Sequence, residues 1–111
     1  MKNNGGLGAF KMELVFHPKV KDDIDNLDGT IKNRLKKIIR RIKRAPELGK
    51  PLGHKGNIDL SGCLKIYFYQ KKYRVVYEIL NGKKIIIWSI GKREEEVVYI
   101  NAYKRILERR K

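Results

Sequence analysis

The side chains with most to offer chemically are cations and phenols in the second half of the chain. They are Lys65, Tyr67 and Tyr69, then Arg74, then Arg93 and Tyr99. Lysine and arginine meet phosphate oxygens as permanent or near-permanent charges. A phenol adds a flat face for stacking and an ionisable hydroxyl. Other chemistries lack their ingredients. His17, His54 and Cys63 share no metal-ligand spacing, and no carboxylate cluster offers converging oxygen ligands. Ser61 and Ser89 are the only serines, and neither sits in a nucleophile elbow. Gly49, Gly53 and Gly56 resemble a phosphate-cradling loop but lack its Lys-Ser/Thr ending, so they read as a connection. No metal or cofactor is expected.

These residues fall on elements with a period of two. Leu64, Ile66 and Phe68 alternate with Lys65, Tyr67 and Tyr69. Tyr73, Val75, Tyr77 and Ile79 alternate in the same way with Arg74, Val76, Glu78 and Leu80. With Leu64 and Val75 turned to the core, Lys65 and Arg74 share an exposed concave side of neighbouring strands. Arg74 stands out because apolar and aromatic residues fill the rest of its strand. Taken singly, lysines and arginines in so basic a chain are more often solubilising surface than catalysts. Taken together they describe a basic, aromatic-lined sheet face.

Asn81-Gly82 is a strong hairpin signal, and Lys83 to Ile90 reads as a buried strand rich in β-branched residues. Gly91-Lys92-Arg93 ends that strand. Glu94 to Arg110 reads as a helix with Val98, Ala102 and Ile106 on one face, which puts Tyr99 within two turns of Arg93. Upstream, Met12 to Phe16 suits a first strand closed by His17-Pro18. Val20, Ile24 and Leu27 give a short helical face, with Asp22, Asp23 and Asp25 toward its positive end. Asp28-Gly29 breaks it, and Thr30 suits the N-cap of a second helix. Ile31, Leu35, Ile38, Ile39 and Ile42 form one apolar stripe on that helix. Lys32, Arg34, Lys36, Lys37, Arg40, Arg41, Lys43 and Arg44 fill the other side, and Pro46 stops the helix at Ala45. Leu48 to Asn57 is a Gly- and Pro-rich connection. The predicted order is β-α-α-β-β-β-α, an α+β fold with a helical hairpin packed on a mostly antiparallel sheet of about four strands.

The whole chain has 111 residues, enough for one domain. The Gly/Asn-rich stretch 1–11 reads as a flexible leader and 12–111 as the folded unit. No apolar run is long enough to span a bilayer, and the leader lacks the apolar region of a signal peptide. A single cysteine, Cys63, suits a reducing cytoplasm. Lys plus Arg number 27 against 12 Asp plus Glu, a formal net charge of +15. That excess calls for a polyanionic partner, most simply nucleic acid. Charge does not distinguish binding from cutting.

Several stretches carry a resemblance. They are Lys50-Pro51-Leu52, Leu60-Ser61-Gly62-Cys63-Leu64-Lys65-Ile66, Tyr73-Arg74-Val75-Val76-Tyr77, Ile90-Gly91-Lys92-Arg93 and the tail Val98 to Leu107. Together they resemble the RelE branch of the RelE/ParE toxin superfamily, in consistent order over roughly residues 12 to 107. The Tyr-Arg-Val-Val-Tyr strand marks the superfamily. The Gly-Lys-Arg turn followed by Tyr99 is more specific to its ribonucleases. The resemblance implies the toxin of a toxin–antitoxin pair, which enters the ribosomal A site and cleaves mRNA there. It implies metal-free chemistry, in which the ribose 2′-OH attacks the adjacent phosphate to leave a 2′,3′-cyclic phosphate and a 5′-OH.

Carried over by position, the resemblance assigns Lys65, Arg74, Arg93 and Tyr99 to catalysis. A tyrosinate could take the 2′-OH proton where nearby cations depress its pKa. Arginines would brace the phosphorane charge, and Arg93 or Lys65 would serve the leaving oxygen. The branch usually carries a second lysine where this chain has Tyr67. Either Tyr67 stacks on a base, or Lys71 or Lys72 replaces the charge. Lys36, Lys37, Arg40, Arg41, Lys43 and Arg44 are expected to meet RNA phosphates. The implied partners are an acidic, RelB-like antitoxin and the mRNA-bearing ribosome. Two other readings stand beside this one: a ParE-like toxin that inhibits DNA gyrase without cutting nucleic acid, and a basic nucleic-acid-binding protein.

Overall fold

The structure is a computed structural model that describes residues 12–110, apart from the side chains of Lys55 and Glu95. The expected leader, 1–11, lies outside the described residues. The chain runs β1 (Glu13–Phe16), α1 (Val20–Asp25), α2 (Gly29–Arg44), a 3₁₀ turn (Pro46–Leu48), β2 (Lys50–Pro51), β3 (His54–Lys55) and β4 (Ile58–Asp59). It continues through β5 (Cys63–Phe68), β6 (Tyr73–Leu80), β7 (Lys84–Lys92), a second 3₁₀ turn (Glu94–Glu96) and α3 (Val97–Arg109). The main sheet has the order β1-β7-β6-β5-β2. β1 lies parallel to β7 and every other pairing in this sheet is antiparallel. No helix among the described residues is long and apolar enough to cross a membrane.

The α+β architecture agrees with the sequence, with local corrections. His54–Lys55, within the stretch read as a connection, pairs with Ile58–Asp59 as a second, two-stranded sheet, and the helix expected from Glu94 begins only at Val97, after a left-handed Glu96 at φ 56°. The main sheet has five strands rather than about four, because Lys50 and Pro51, read as loop, pair with Lys65 and Leu64. Proline hides such a strand from sequence reasoning, yet it is tolerated at an edge where no partner needs its missing N–H. The N-cap of α2 is Asp28, not Thr30: its Oδ1 accepts the Ile31 N–H at 3.0 Å. Asp28 wins because its extended backbone leaves the carboxylate over the first turn, so helix geometry already begins at Gly29. The Asn81-Gly82 turn forms as expected. Both residues have positive φ, 54° and 64°, and the Lys83 N–H returns to the Leu80 carbonyl at 3.0 Å.

Both faces of the sheet are covered. Phe68, Val75, Tyr77, Ile85 and Ile87 face the hairpin and pack with Val20, Ile31, Leu35 and Ile42. Cys63, Val76, Ile86 and Trp88 face the other way and pack with Val98, Tyr99, Ala102 and Ile106 of α3. That explains why β7 is almost continuously apolar: a strand covered on both sides has no solvent face to alternate toward. Burial pushes the Cys63 thiol up to about 12, which leaves it a packing residue rather than a nucleophile.

One polar cluster joins the layers. The Arg105 guanidinium meets Asp23 through two bonds, Nη1 to Oδ2 at 2.7 Å and Nη2 to Oδ1 at 2.9 Å. Nη1 also donates to the Trp88 carbonyl at 2.8 Å, and Asp23 Oδ2 accepts the Ile90 N–H at 3.0 Å. Residues from α1, β7 and α3 thus share one desolvated ion pair. Removing one partner of such a pair strands the other charge. Asp23→Asn should therefore lower unfolding stability by about 3–5 kcal/mol, read from urea denaturation midpoints. Adding Arg105→Met to it should recover part of the loss, whereas two additive losses would show that the groups act independently.

Candidate active site

α3 packs mainly on β7 and β6, so the outer part of its sheet face stays open toward β5. A groove of about 690 Å³ lies there, lined by Lys65, Tyr67, Arg74, Arg93 and Tyr99 together with Lys71, Lys72 and Lys92. The alternation that the sequence displayed brings this about. Lys65 and Tyr67 leave β5 on the side away from the hairpin, and Tyr67 stands directly opposite Arg74 in the β5–β6 ladder. Arg93 enters from the turn after β7, and Tyr99 reaches in from the first turn of α3.

Arg74 departs from expectation in one respect. It is 4% exposed, not a side chain on an open surface. Its Nη1 donates to the Lys71 carbonyl at 3.1 Å, and its guanidinium carbon lies 4.2 Å from the centroid of the Tyr67 ring. Its Nε is buried without a hydrogen-bond partner among the described residues. A buried cationic donor left unpaired is costly unless an anion completes it. Lys65 also lies over two rings, with Nζ 5.1 Å from the centroid of Tyr67 and 5.9 Å from that of Tyr99.

The two phenols respond oppositely to these surroundings. The Tyr67 hydroxyl falls to about 8, chiefly because Lys65 sits beside it as hydrogen-bond donor and charge, with Arg74 adding to the effect. Tyr99 rises above the ordinary phenol value because burial outweighs the pull of Arg74. The acidified tyrosine of the groove is thus Tyr67, whereas the sequence directed attention to Tyr99. The reason is spatial, since Tyr67 sits half open between cations and Tyr99 is buried between α3 and the sheet.

The loop from β5 to β6 shapes this environment. Tyr69, Gln70 and Lys71 are consecutive non-glycine residues with φ of 51°, 57° and 64°. This left-handed run turns the Lys71 carbonyl onto Arg74, while the Lys72 carbonyl accepts the Arg93 N–H at 3.0 Å. One loop therefore holds both arginines. Left-handed backbone is unfavourable for side chains with a Cβ, and strain of this kind concentrates at functional sites.

The cations of α2 occupy another part of the surface. None of Lys36, Lys37, Arg40, Arg41, Lys43 or Arg44 lines the groove, and all are exposed. Lys32, Lys36 and Arg40 rim a separate cleft of about 470 Å³ whose floor is Phe16, Ile24, Leu35 and Ile39. Sequence reasoning also missed Lys50, which stands across the ladder from Lys65 on the edge strand and reaches 5.5 Å from the Tyr67 ring centroid. The nearby signal, Lys50-Pro51-Leu52, entered only as part of a resemblance.

The profile of the family described as the ParE toxin of type II toxin–antitoxin systems matches residues 14–97. The mRNA interferase toxin RelE of Escherichia coli is 32% identical over 97 residues, covering 85% of this chain and 96% of that protein. The chain belongs to the RelE/ParE toxin superfamily. Within it the likeness to RelE extends to solved structures. A free double-arginine variant of E. coli RelE superposes with a TM-score of 0.69 at 28% identity, covering 86% of this chain and 98% of that one. A chain of the intact E. coli RelBE toxin–antitoxin complex gives a TM-score of 0.60 at 26% identity, covering 76% and 99%. This RelE-like chain therefore shares nearly the full extent of its relatives.

The strained loop supplies a measurement. Gln70→Gly should leave stability unchanged or raise it slightly, since glycine adopts left-handed backbone without penalty. Gln70→Val should cost about 1–2 kcal/mol, the scale of the left-handed penalty made worse by β-branching. Equal denaturation midpoints for the two variants would show that the loop relaxes in solution.

Proposed function

We propose that this protein is the toxin of a type II toxin–antitoxin pair and an endoribonuclease that cleaves mRNA in the ribosomal A site. The observation that carries this reading is the groove itself. It gathers Lys65, Arg74, Arg93 and Tyr99 from four parts of the fold, and it contains a buried guanidinium whose Nε awaits an acceptor. A scissile phosphate fits that need in charge. The relative named as an mRNA interferase supports the same conclusion.

In this mechanism the 2′-OH attacks its own phosphodiester and no metal takes part. Arg74 and Arg93 stabilise the charge that accumulates on the phosphorane. Lys65 serves the departing 5′-oxygen. Tyr99, kept protonated by burial, donates a hydrogen bond to a non-bridging phosphate oxygen. Lys71 and Lys72 hold the flanking backbone, and the exposed cations of α2 dock on ribosomal RNA phosphates. The partner that silences the toxin is an acidic antitoxin with an apolar stripe at helical spacing. Its stripe suits the Phe16/Ile24/Leu35/Ile39 cleft, and its carboxylates suit the surrounding cations. A toxin chain seen in complex with its antitoxin is among the solved relatives.

The match to the ParE profile keeps a second reading in view, a gyrase inhibitor that cuts no nucleic acid. Primer extension on mRNA from cells briefly expressing the protein separates them. Cuts within translated codons are expected, while intact mRNA with double-strand DNA breaks would establish the ParE-like activity instead. Arg74→Ala and Arg93→Ala should each slow single-turnover cleavage by about 10²–10³-fold, the scale of losing one preorganised charge donor. Lys36→Glu with Arg40→Glu should weaken ribosome binding in a strongly salt-dependent way and leave the cut position unchanged. A shifted cut in that variant would mean that α2 reads the message directly.

A further inference from the structure

Tyr67 is the phenol on which the positive charge of the groove converges. Lys50 approaches its ring from β2 at 5.5 Å, Lys65 from its own strand at 5.1 Å, and the Arg74 guanidinium from β6 at 4.2 Å. Lys71, Lys72, Lys92 and Arg93 line the same groove. Asp28, Glu94 and Glu96 bring the acidic side, and Tyr99 faces it from α3. The other tyrosines are placed differently. Tyr77 donates its hydroxyl proton to the Pro46 carbonyl at 2.6 Å, and Tyr69 and Tyr73 border the groove but pack their rings against the hairpin core, away from the Lys65–Arg74 contacts. Tyr103 packs on the opposite face.

Resting on the ribonuclease reading above, we infer that Tyr67 is the general base that takes the 2′-hydroxyl proton, with Lys65 as its coupled acid. The Tyr67 phenolate accepts the proton as the 2′-oxygen forms its bond to phosphorus. The P–O5′ bond breaks, its electron pair leaves with the 5′-oxygen, and that oxygen takes a proton from the Lys65 ammonium. Tyr67 then returns its newly acquired proton to the Lys65 amine, which restores both groups. Products are the 2′,3′-cyclic phosphate and the 5′-OH, with no net change in the protein.

Geometry makes the pair workable. Lys65 and Tyr67 are two positions apart on one strand and therefore on one face, and both border the space where a phosphate meets Arg74. A base works best with a pKa near the working pH, and Tyr67 at about 8 is far nearer to it than an ordinary phenol. Tyr99, shifted the other way, stays a donor.

Two measurements on the full-length protein decide the matter. In single-turnover cleavage of ribosome-bound mRNA, the wild-type rate should climb with pH and level off near 8, following the Tyr67 ionisation. Tyr67→Phe should cut at least about a hundredfold more slowly and lose that rising limb, while Lys65→Arg restores charge but no ready proton and should also be slow. Near-normal cleavage by Tyr67→Phe, with the limb intact and only Tyr67→Ala slow, would reduce Tyr67 to a stacking platform. Ultraviolet titration of tyrosinate in the free protein provides the second readout. One of the 6 tyrosines should ionise near pH 8, and that step should vanish in Tyr67→Phe. Absence of the step overturns the inference even where cleavage is robust. A wild-type protein that cuts no mRNA overturns the ribonuclease reading and the base with it.

Discussion

The arrangement of this protein depends on the ion pair of Asp23 and Arg105. Both side chains are almost wholly out of water, at 9% and 8% exposure, and four hydrogen bonds meet there. Apolar packing alone would hold α3 against the sheet without fixing its register, because a stripe such as Val98, Ala102 and Ile106 tolerates sliding and rotation. A bidentate guanidinium–carboxylate contact tolerates neither. Through Trp88 and Ile90 it also ties both helical layers to β7, the strand shared by the two cores. The position of Tyr99 in the groove follows from it, since Tyr99 and Arg105 stand six positions apart on one helix.

The groove pays for its charge in two ways. Lys65, Arg74 and Arg93 repel one another around a common space, and three residues of the adjoining loop adopt left-handed backbone to position two of them. Neither feature helps the chain to fold. Both become favourable once a polyanion enters, because the cations then gain partners. Cation–ring contacts reduce the cost meanwhile. Arg74 lies against Tyr67, and Lys65 lies between Tyr67 and Tyr99, so each charge is partly shielded in a site that still presents it to phosphate.

Charge is also divided between two surfaces. The cations of α2 are exposed to any polyanion, whereas Lys65 and Arg74 of the groove are held against aromatic rings. The proposed function, which needs both an encounter with a large RNA and action on one phosphodiester, would use both kinds. Long-range attraction steers the encounter, and preorganised charge acts at the reacting atom. The apolar cleft rimmed by Lys32, Lys36 and Arg40 joins these functions on one element, since it lies along the same helix.

Much of this was legible in the sequence, for reasons that differ element by element. Ile31, Leu35 and Ile42 announced α2 by spacing alone, because burying one face of a helix requires that period whatever it packs against. Asn81-Gly82 announced its turn because few residues accept positive φ. Period-two alternation put Lys65 and Tyr67 on one face and, through the neighbouring strand, Arg74 beside them. The edge strand at Lys50 and the Asp28 cap escaped, the first behind a proline and the second behind an equally suitable threonine. What sequence could not supply was environment. That Arg74 is buried, that Arg105 finds Asp23 across 82 positions, and that Tyr67 rather than Tyr99 becomes the acidic phenol all depend on distances between segments remote in the chain. Local periodicity fixes which face a side chain occupies. Only the packed layers fix how much water and which charges it meets there, and pKa follows from those.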